Sequence, residues 1–145
     1  EGRRVRISPH LVRGPDEPAD GVLAVFYDQL LTVLKRPALR DGDWKLLPRW
    51  PAWDGNASSN HYVAYGWHLG GDDRLVVAVN LSAVQSQCSV RLPFGDLDGS
   101  QWRLEDLLGE AVYTRDGGDL QTWGLYLDEP PWKAQVFALT RIDAG

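Results

Sequence analysis

Seven tryptophans are spread along this sequence of 145 residues, and their rings are its most conspicuous chemical resource. The flat face of a Trp or Tyr ring packs against apolar side chains in a core and equally well against the C–H face of a sugar, so local context decides between the two. Trp44, Trp67, Trp102 and Trp132 fall within or at the start of apolar runs and are read as core. Trp50 and Trp53 share a polar connection with Pro51, Asp54, Gly55 and Asn56, and Trp123 stands just before Gly124. Those three, with Tyr62 as a further ring, are the candidate carbohydrate-stacking residues.

Other chemistry finds little support. The histidines are His10, His61 and His68. In an extended segment His61 and His68, an odd number of positions apart, point to opposite faces. Cys88 is the only cysteine, so neither a zinc ligand set nor an internal disulfide is assigned. With no basic neighbour, Cys88 reads as a small buried apolar side chain. There is no Gly-x-Ser-x-Gly elbow and no glycine-rich phosphate loop before a helix. Asp41-Gly-Asp43, Asp72-Asp73, Asp96-x-Asp98-Gly and Asp116-Gly-Gly-Asp119 match no complete calcium loop and are read as turns. Glycoside hydrolysis needs two carboxyl groups flanking the scissile bond. Glu105, Asp106, Glu110 and Glu129 fall among turns and strand ends and are read as solvated surface acids. No catalytic residue, metal or cofactor is therefore assigned.

The elements that must carry these rings divide at Pro37. Before it, Val22, Leu23, Phe26, Leu30, Val33 and Leu34 recur at three- and four-residue steps, which predicts an amphipathic helix over about 19–35. Pro18 and the preceding acids suit its start, Lys35 and Arg36 its end, and Pro37 stops it. Val5 and Ile7 alternate with arginines, a possible short strand. After Pro37 the period becomes two. Strands are expected at 44–47, 61–69, 75–80, 86–92, 102–107, 111–114, 120–123, 125–128 and 132–139. Val63, Tyr65 and Trp67 share one face of the second of these. The 15 glycines and 9 prolines cluster in the connections. This spacing predicts a mainly β protein, an antiparallel two-sheet β-sandwich of Greek-key type with about eight strands, preceded by one helix.

The formal net charge of −5 disfavours nucleic acid and anionic membranes as partners. No run is long enough to span a bilayer, and no apolar signal region follows Glu1. The absence of any Met fits a piece of a longer chain whose true start lies upstream. A cytoplasmic location is expected.

The order of several motifs resembles the C-terminal part of alpha-amylase-like enzymes, glycoside hydrolase family 13. Arg74-Leu-Val-Val-Ala-Val-Asn80-Leu-Ser82 resembles the valine-rich strand ending in Asn-x-Ser of their C-terminal domain. Gln85 to Pro93 looks like the strand that follows, and Trp102-Arg-Leu-Glu-Asp-Leu-Leu108-Gly109 like the next. Gly124-Leu-Tyr-Leu-Asp128, Pro130-Pro131-Trp132 and Val136-Phe137 look like the closing hairpin. Phe26-Tyr27-x-x-Leu30-Leu31 and Pro37-Ala-Leu-Arg40-x-Gly42 resemble the last barrel helix and the passage into the sandwich. The resemblance spans nearly the whole chain. It implies that residues 1–40 are the tail of a catalytic (β/α)8 barrel and residues 41–145 a C-terminal β-sandwich. It further implies a parent enzyme acting on α-glucans, whose catalytic acids lie on barrel strands outside this sequence. The chain itself is then non-catalytic, and its expected partner is the parent's barrel. The alternative is a carbohydrate-binding module that holds α-glucan on its surface rings. An uncovered helix stripe would favour self-association.

Overall fold

The alternation after Pro37 becomes a train of strands in two facing antiparallel sheets. The structure, a computed structural model, describes residues 18–71 and 73–142. Two helices come first, α1 (Gly21–Leu34) and α2 (Pro37–Asp41). Then follow β1 (Asp43–Leu46), β2 (Arg49–Trp50), a 3-10 turn (Ala57–His61), β3 (Tyr62–His68), β4 (Arg74–Asn80) and β5 (Ser86–Val90). The described residues close with β6 (Gln101–Asp106), β7 (Val112–Asp116), α3 (Gly117–Trp123), β8 (Leu125–Glu129) and β9 (Ala134–Ile142). His10, Asp72, the expected strand at Val5 and Ile7 and most of the turn at 15–18 lie outside the described residues.

The larger sheet has the order β1-β3-β4-β9-β6-β7 and the smaller β2-β5-β8. Every pairing is antiparallel. Only β3–β4 and β6–β7 are joined as adjacent hairpins; every other strand-to-strand connection passes from one sheet to the other. Val76, Ala78, Trp102, Leu104, Phe137 and Leu139 of the larger sheet meet Cys88, Val90, Leu125 and Leu127 of the smaller in one buried cluster. This is the mainly β, two-sheet sandwich that the spacing predicts. Nine strands lie among the described residues, against about eight expected: the range 120–123 is not one of them, and Arg49–Trp50, inside the connection read as a loop, pairs briefly with β5.

Two polar clusters brace the sandwich. Asn80 is fully buried at the end of β4, and its Nδ2 donates to the carbonyls of Val84 (2.9 Å), Glu129 (3.2 Å) and Pro130 (3.0 Å). Its Oδ1 accepts from the Ser82 N–H and hydroxyl at 3.1 and 2.8 Å, so the Asn-x-Ser stretch ties β4 to the end of β8. At the opposite end of β4 the buried Arg74 makes a two-pronged ion pair with Asp96, both contacts 2.6 Å. Arg74 and Arg141 flank the Trp102 ring at 4.8 and 4.9 Å, and Trp102 Nε1 donates to the Leu97 carbonyl at 2.9 Å. A buried indole with its N–H satisfied and cations near its ring keeps its full apolar contribution.

Several expectations give way to the fold. Helix α1 starts later than expected, at Gly21, because Asp20 caps it by accepting from the Val22 and Leu23 N–H groups at 2.9 and 3.2 Å. Pro37 ends one helix but also opens another, since a proline fits the first helical position. The expected strand at 120–123 is part of α3. Asp116 caps that helix by accepting from the Asp119 N–H at 3.1 Å, so the Asp116-Gly-Gly-Asp119 turn is a helix start. Trp44 and Trp132 are not core: they are 55% and 65% exposed. Trp44 points outward from an edge strand, and Trp132 sits in a turn at φ 59° before β9 begins.

Candidate functional site

Of the four candidate stacking residues, the structure brings two together. Trp50 in β2 is level with Ser89 in β5, and Ser89 is level with Tyr126 in β8. The three side chains therefore form one row across the outer face of the smaller sheet. The small Ser89 leaves a gap between the two rings. Trp123, at the end of α3, overhangs this row and is 73% exposed. The resulting open groove has a volume of about 400 Å³ and is lined chiefly by Trp50, Ser89, Arg91, Trp123 and Tyr126.

Local chemistry holds the overhanging ring in place. Ser89 Oγ donates to the Trp123 carbonyl. Arg91 Nη1 donates to the carbonyls of Gln121 (3.1 Å) and Thr122 (2.8 Å), supplying a cation to the negative end of α3. Gly124 then turns the chain at φ 84°, ψ −173°, a conformation essentially reserved for glycine. A Cβ there would stand 2.5 Å from the Val90 carbonyl oxygen, so only glycine lets α3 close onto β5.

The other two candidates are elsewhere. Trp53 is half exposed but does not line the groove. It belongs to a loop organised by the buried Asn56, which accepts from the Ala52 N–H (3.2 Å) and donates to Ser58 Oγ (2.9 Å). Tyr62 is withdrawn as a stacking residue, because it is 2% exposed. Its hydroxyl donates to the Ser86 carbonyl at 2.6 Å and accepts from the Glu129 N–H at 3.2 Å. Burial pushes this phenol above its ordinary range. Tyr126 is the ring that sequence reasoning missed. Its signal was present: within Leu125-Tyr-Leu-Asp128 it alternates with two leucines, and one of the two sets must face outward.

Beyond the row of rings the same face turns polar. Gln85 and Gln87 each donate to Asp128 Oδ1, at 2.9 and 2.8 Å. These two bonds hold the Asp128 carboxyl below the usual carboxylate range.

A second candidate lies on the opposite side. Strand register places Trp44 and Leu46 of β1, Val63, Tyr65 and Trp67 of β3, and Val77 and Val79 of β4 on the outer face of the larger sheet. The grouping of Val63, Tyr65 and Trp67 is as expected, but theirs is the outward face. Trp44–Tyr65 and Tyr65–Trp67 are ring contacts at 6.3 and 5.7 Å. Val33 and Ala38 from α1 and α2 pack on one end of this face, with Leu75, Val136 and Ala138.

Helix α1 covers no more than that end. Of its residues only Val33 is buried. Val22 is 83% exposed, and Val25, Phe26, Leu31 and Leu34 are exposed too. The polar Asp28, Gln29 and Thr32 instead line a gap of about 310 Å³ with Val33, Arg36 and Leu107. The helix thus buries only the apolar Val33 against its own domain and leaves most of its other apolar side chains in solvent, unlike an ordinary surface helix.

Cys88 is fully buried, and burial pushes its thiol up to about 12, so it is a core side chain. His61 Nδ1 shares a hydrogen bond with Ser86 Oγ at 2.8 Å. Among the described residues no three His, Cys, Asp or Glu side chains are grouped to hold a metal ion. No helix among them is long and apolar enough to cross a membrane. The sequence matches no protein-family model, and no curated protein matches it.

Proposed function

We propose that this chain is the non-catalytic C-terminal β-sandwich of an alpha-amylase-like glycoside hydrolase acting on α-glucans, and that it caps the enzyme's catalytic barrel through α1 and the outer face of its larger sheet. The observation that carries the reading is the largely uncovered helix, with Val22, Val25, Phe26, Leu31 and Leu34 exposed and only Val33 buried against the sandwich. Fully burying a Val, Leu or Phe side chain is worth about 1.5–3 kcal/mol, so a partner covering several of them gains substantially. Exposed apolar surface of this extent marks an interaction site. Helix α1 is the first described element, so a domain preceding it in the same chain meets this face at high effective concentration and without the full cost of association. The motif order from the final barrel helix to the closing hairpin is consistent with that arrangement. In isolation the same face favours self-association.

The test is the coding sequence immediately upstream of Glu1. Barrel strands bearing an aspartate nucleophile and a glutamate acid/base there support the assignment. A start codon, or an unrelated domain, refutes it.

A further inference from the structure

We infer that the groove between Trp50, Trp123 and Tyr126 is a binding site for a neutral glycan chain. Each of the three rings is at least half exposed, and none pairs with another aromatic ring among the described residues. Rings in that state hold their faces free for a ligand. They are also positioned rather than dangling: Trp50 and Tyr126 are fixed by strand pairing, and Trp123 by Ser89, Arg91 and the Gly124 turn.

The polar neighbours select the ligand class. Along β5 and the residue that follows it, the outward positions Gln87, Ser89 and Arg91 come in two-residue steps, a strip of about 13 Å. One end offers the remaining guanidinium donors of Arg91. The other offers the amide oxygen of Gln85 and the second oxygen of Asp128, while the Gln87 amide oxygen already accepts from Ser58 Oγ at 3.3 Å. Donors and acceptors flanking a central set of rings match a sugar, which presents hydroxyls at its rim and C–H groups on its faces. The opposed charges of Arg91 and Asp128 balance, so nothing here calls for a charged ligand. The volume of about 400 Å³ lies within the ordinary range for small-ligand sites. This site is on the smaller sheet, opposite the face proposed to dock the barrel, so both can be occupied at once. The groove stands independently of the domain assignment; only the choice of α-glucan as first probe rests on it.

The experiment is calorimetric titration of the 145-residue chain with maltoheptaose, cellohexaose and a proline-rich decapeptide, in wild type and in Trp50→Ala, Trp123→Ala, Tyr126→Ala and Trp53→Ala. These side chains are exposed, so the variants should keep the wild-type circular dichroism, which is recorded for each. The expected result is maltoheptaose binding weakened at least about tenfold by Trp50→Ala and by Trp123→Ala and unchanged by Trp53→Ala. Cellohexaose binding with the same dependence on Trp50 and Trp123 upholds the groove and counts against an α-glucan parent. Glycan binding insensitive to both tryptophans, binding of the peptide alone, or no binding to either glycan overturns the inference.

Discussion

Along β5 the side chains that leave the core are Gln87 and Ser89; along β4 they are Val77 and Val79. The two sheets share one interior, yet their outer faces are built for different surroundings. An antiparallel sheet with one solvated face ordinarily alternates apolar inward and polar outward, and the smaller sheet follows that rule apart from its rings. The larger sheet breaks it across β1, β3 and β4, and the helix beside it breaks the corresponding rule for helices. Two departures on the same side of one molecule have a common physical cause if that side meets another protein surface. The rings of the smaller sheet are isolated from one another and interleaved with hydroxyl and amide groups, which suits a small polar ligand rather than a broad apolar partner.

Substitutions can break this contrast in graded ways. The largest effect is expected at the interior that both faces share. Trp102→Ala should cost about 3–5 kcal/mol in urea denaturation and weaken both sites together. Gly124→Ala should cost about 2–3 kcal/mol, since the new Cβ meets the Val90 carbonyl in a backbone region closed to alanine. Its functional damage should be confined to the groove, seen as lost glycan binding in a chain that remains folded. Neighbouring positions on α1 should separate what the domain covers from what it leaves open. Val33→Ala, at the contact with Leu75 and Val136, should cost about 1.5 kcal/mol, whereas Leu34→Ala should stay within about 0.5 kcal/mol in this chain. In a chain that includes the proposed barrel, a lowered Tm for Leu34→Ala would mark it as an interface residue. A Tm unchanged there would remove the reason for calling that face a docking surface.

The smallest effect concerns acid, and it should leave the contrast intact. Hydrogen bonding and charge from Arg74 hold the Asp96 carboxyl at about 2, with a further contribution from Arg141. The folded value lies below that of the unfolded chain, so the stabilisation is present above about pH 4. It is lost as the pH falls from there through about 2. Asp96→Asn should flatten this part of the stability–pH curve, measured by thermal melts between pH 5 and 2, without altering glycan binding at neutral pH.

Much of the fold was legible in the residues. The runs around β3, β4, β5, β6 and β8 were bounded to within a few positions, because period-two alternation and glycine or proline stops are local properties. The short helix α3 was not, although Asp116 and Asp119 were a helix-start signal in plain view; the apolar Leu120 and Trp123 suggested a strand instead. The candidate site was half legible. Trp50 and Trp123 were found because each sits among turn residues, while Tyr126 was not singled out and Tyr62 was read as a surface ring. The error at Tyr62 has an instructive cause. Val63, Tyr65 and Trp67 are the bulkier set on β3, yet the inward set is Tyr62, Ala64 and Gly66. The side chain of Leu47 lies 3.5 Å from where a Gly66 Cβ would stand, so the interior has room only for the smaller residues there.

The sequence by itself determined the switch from a helical to an extended period at Pro37, the approximate strand limits, and which residues on each strand share a face. Those features depend on neighbours within a few positions along the chain. Only the tertiary structure decided which face of each strand turns inward, that Trp50 and Tyr126 stand in one row, and that α1 leaves most of its apolar side chains in solvent. Alternation defines sides relative to one another. Which side is inside depends on the volume left by elements distant in sequence and on the register in which strands from separate regions pair.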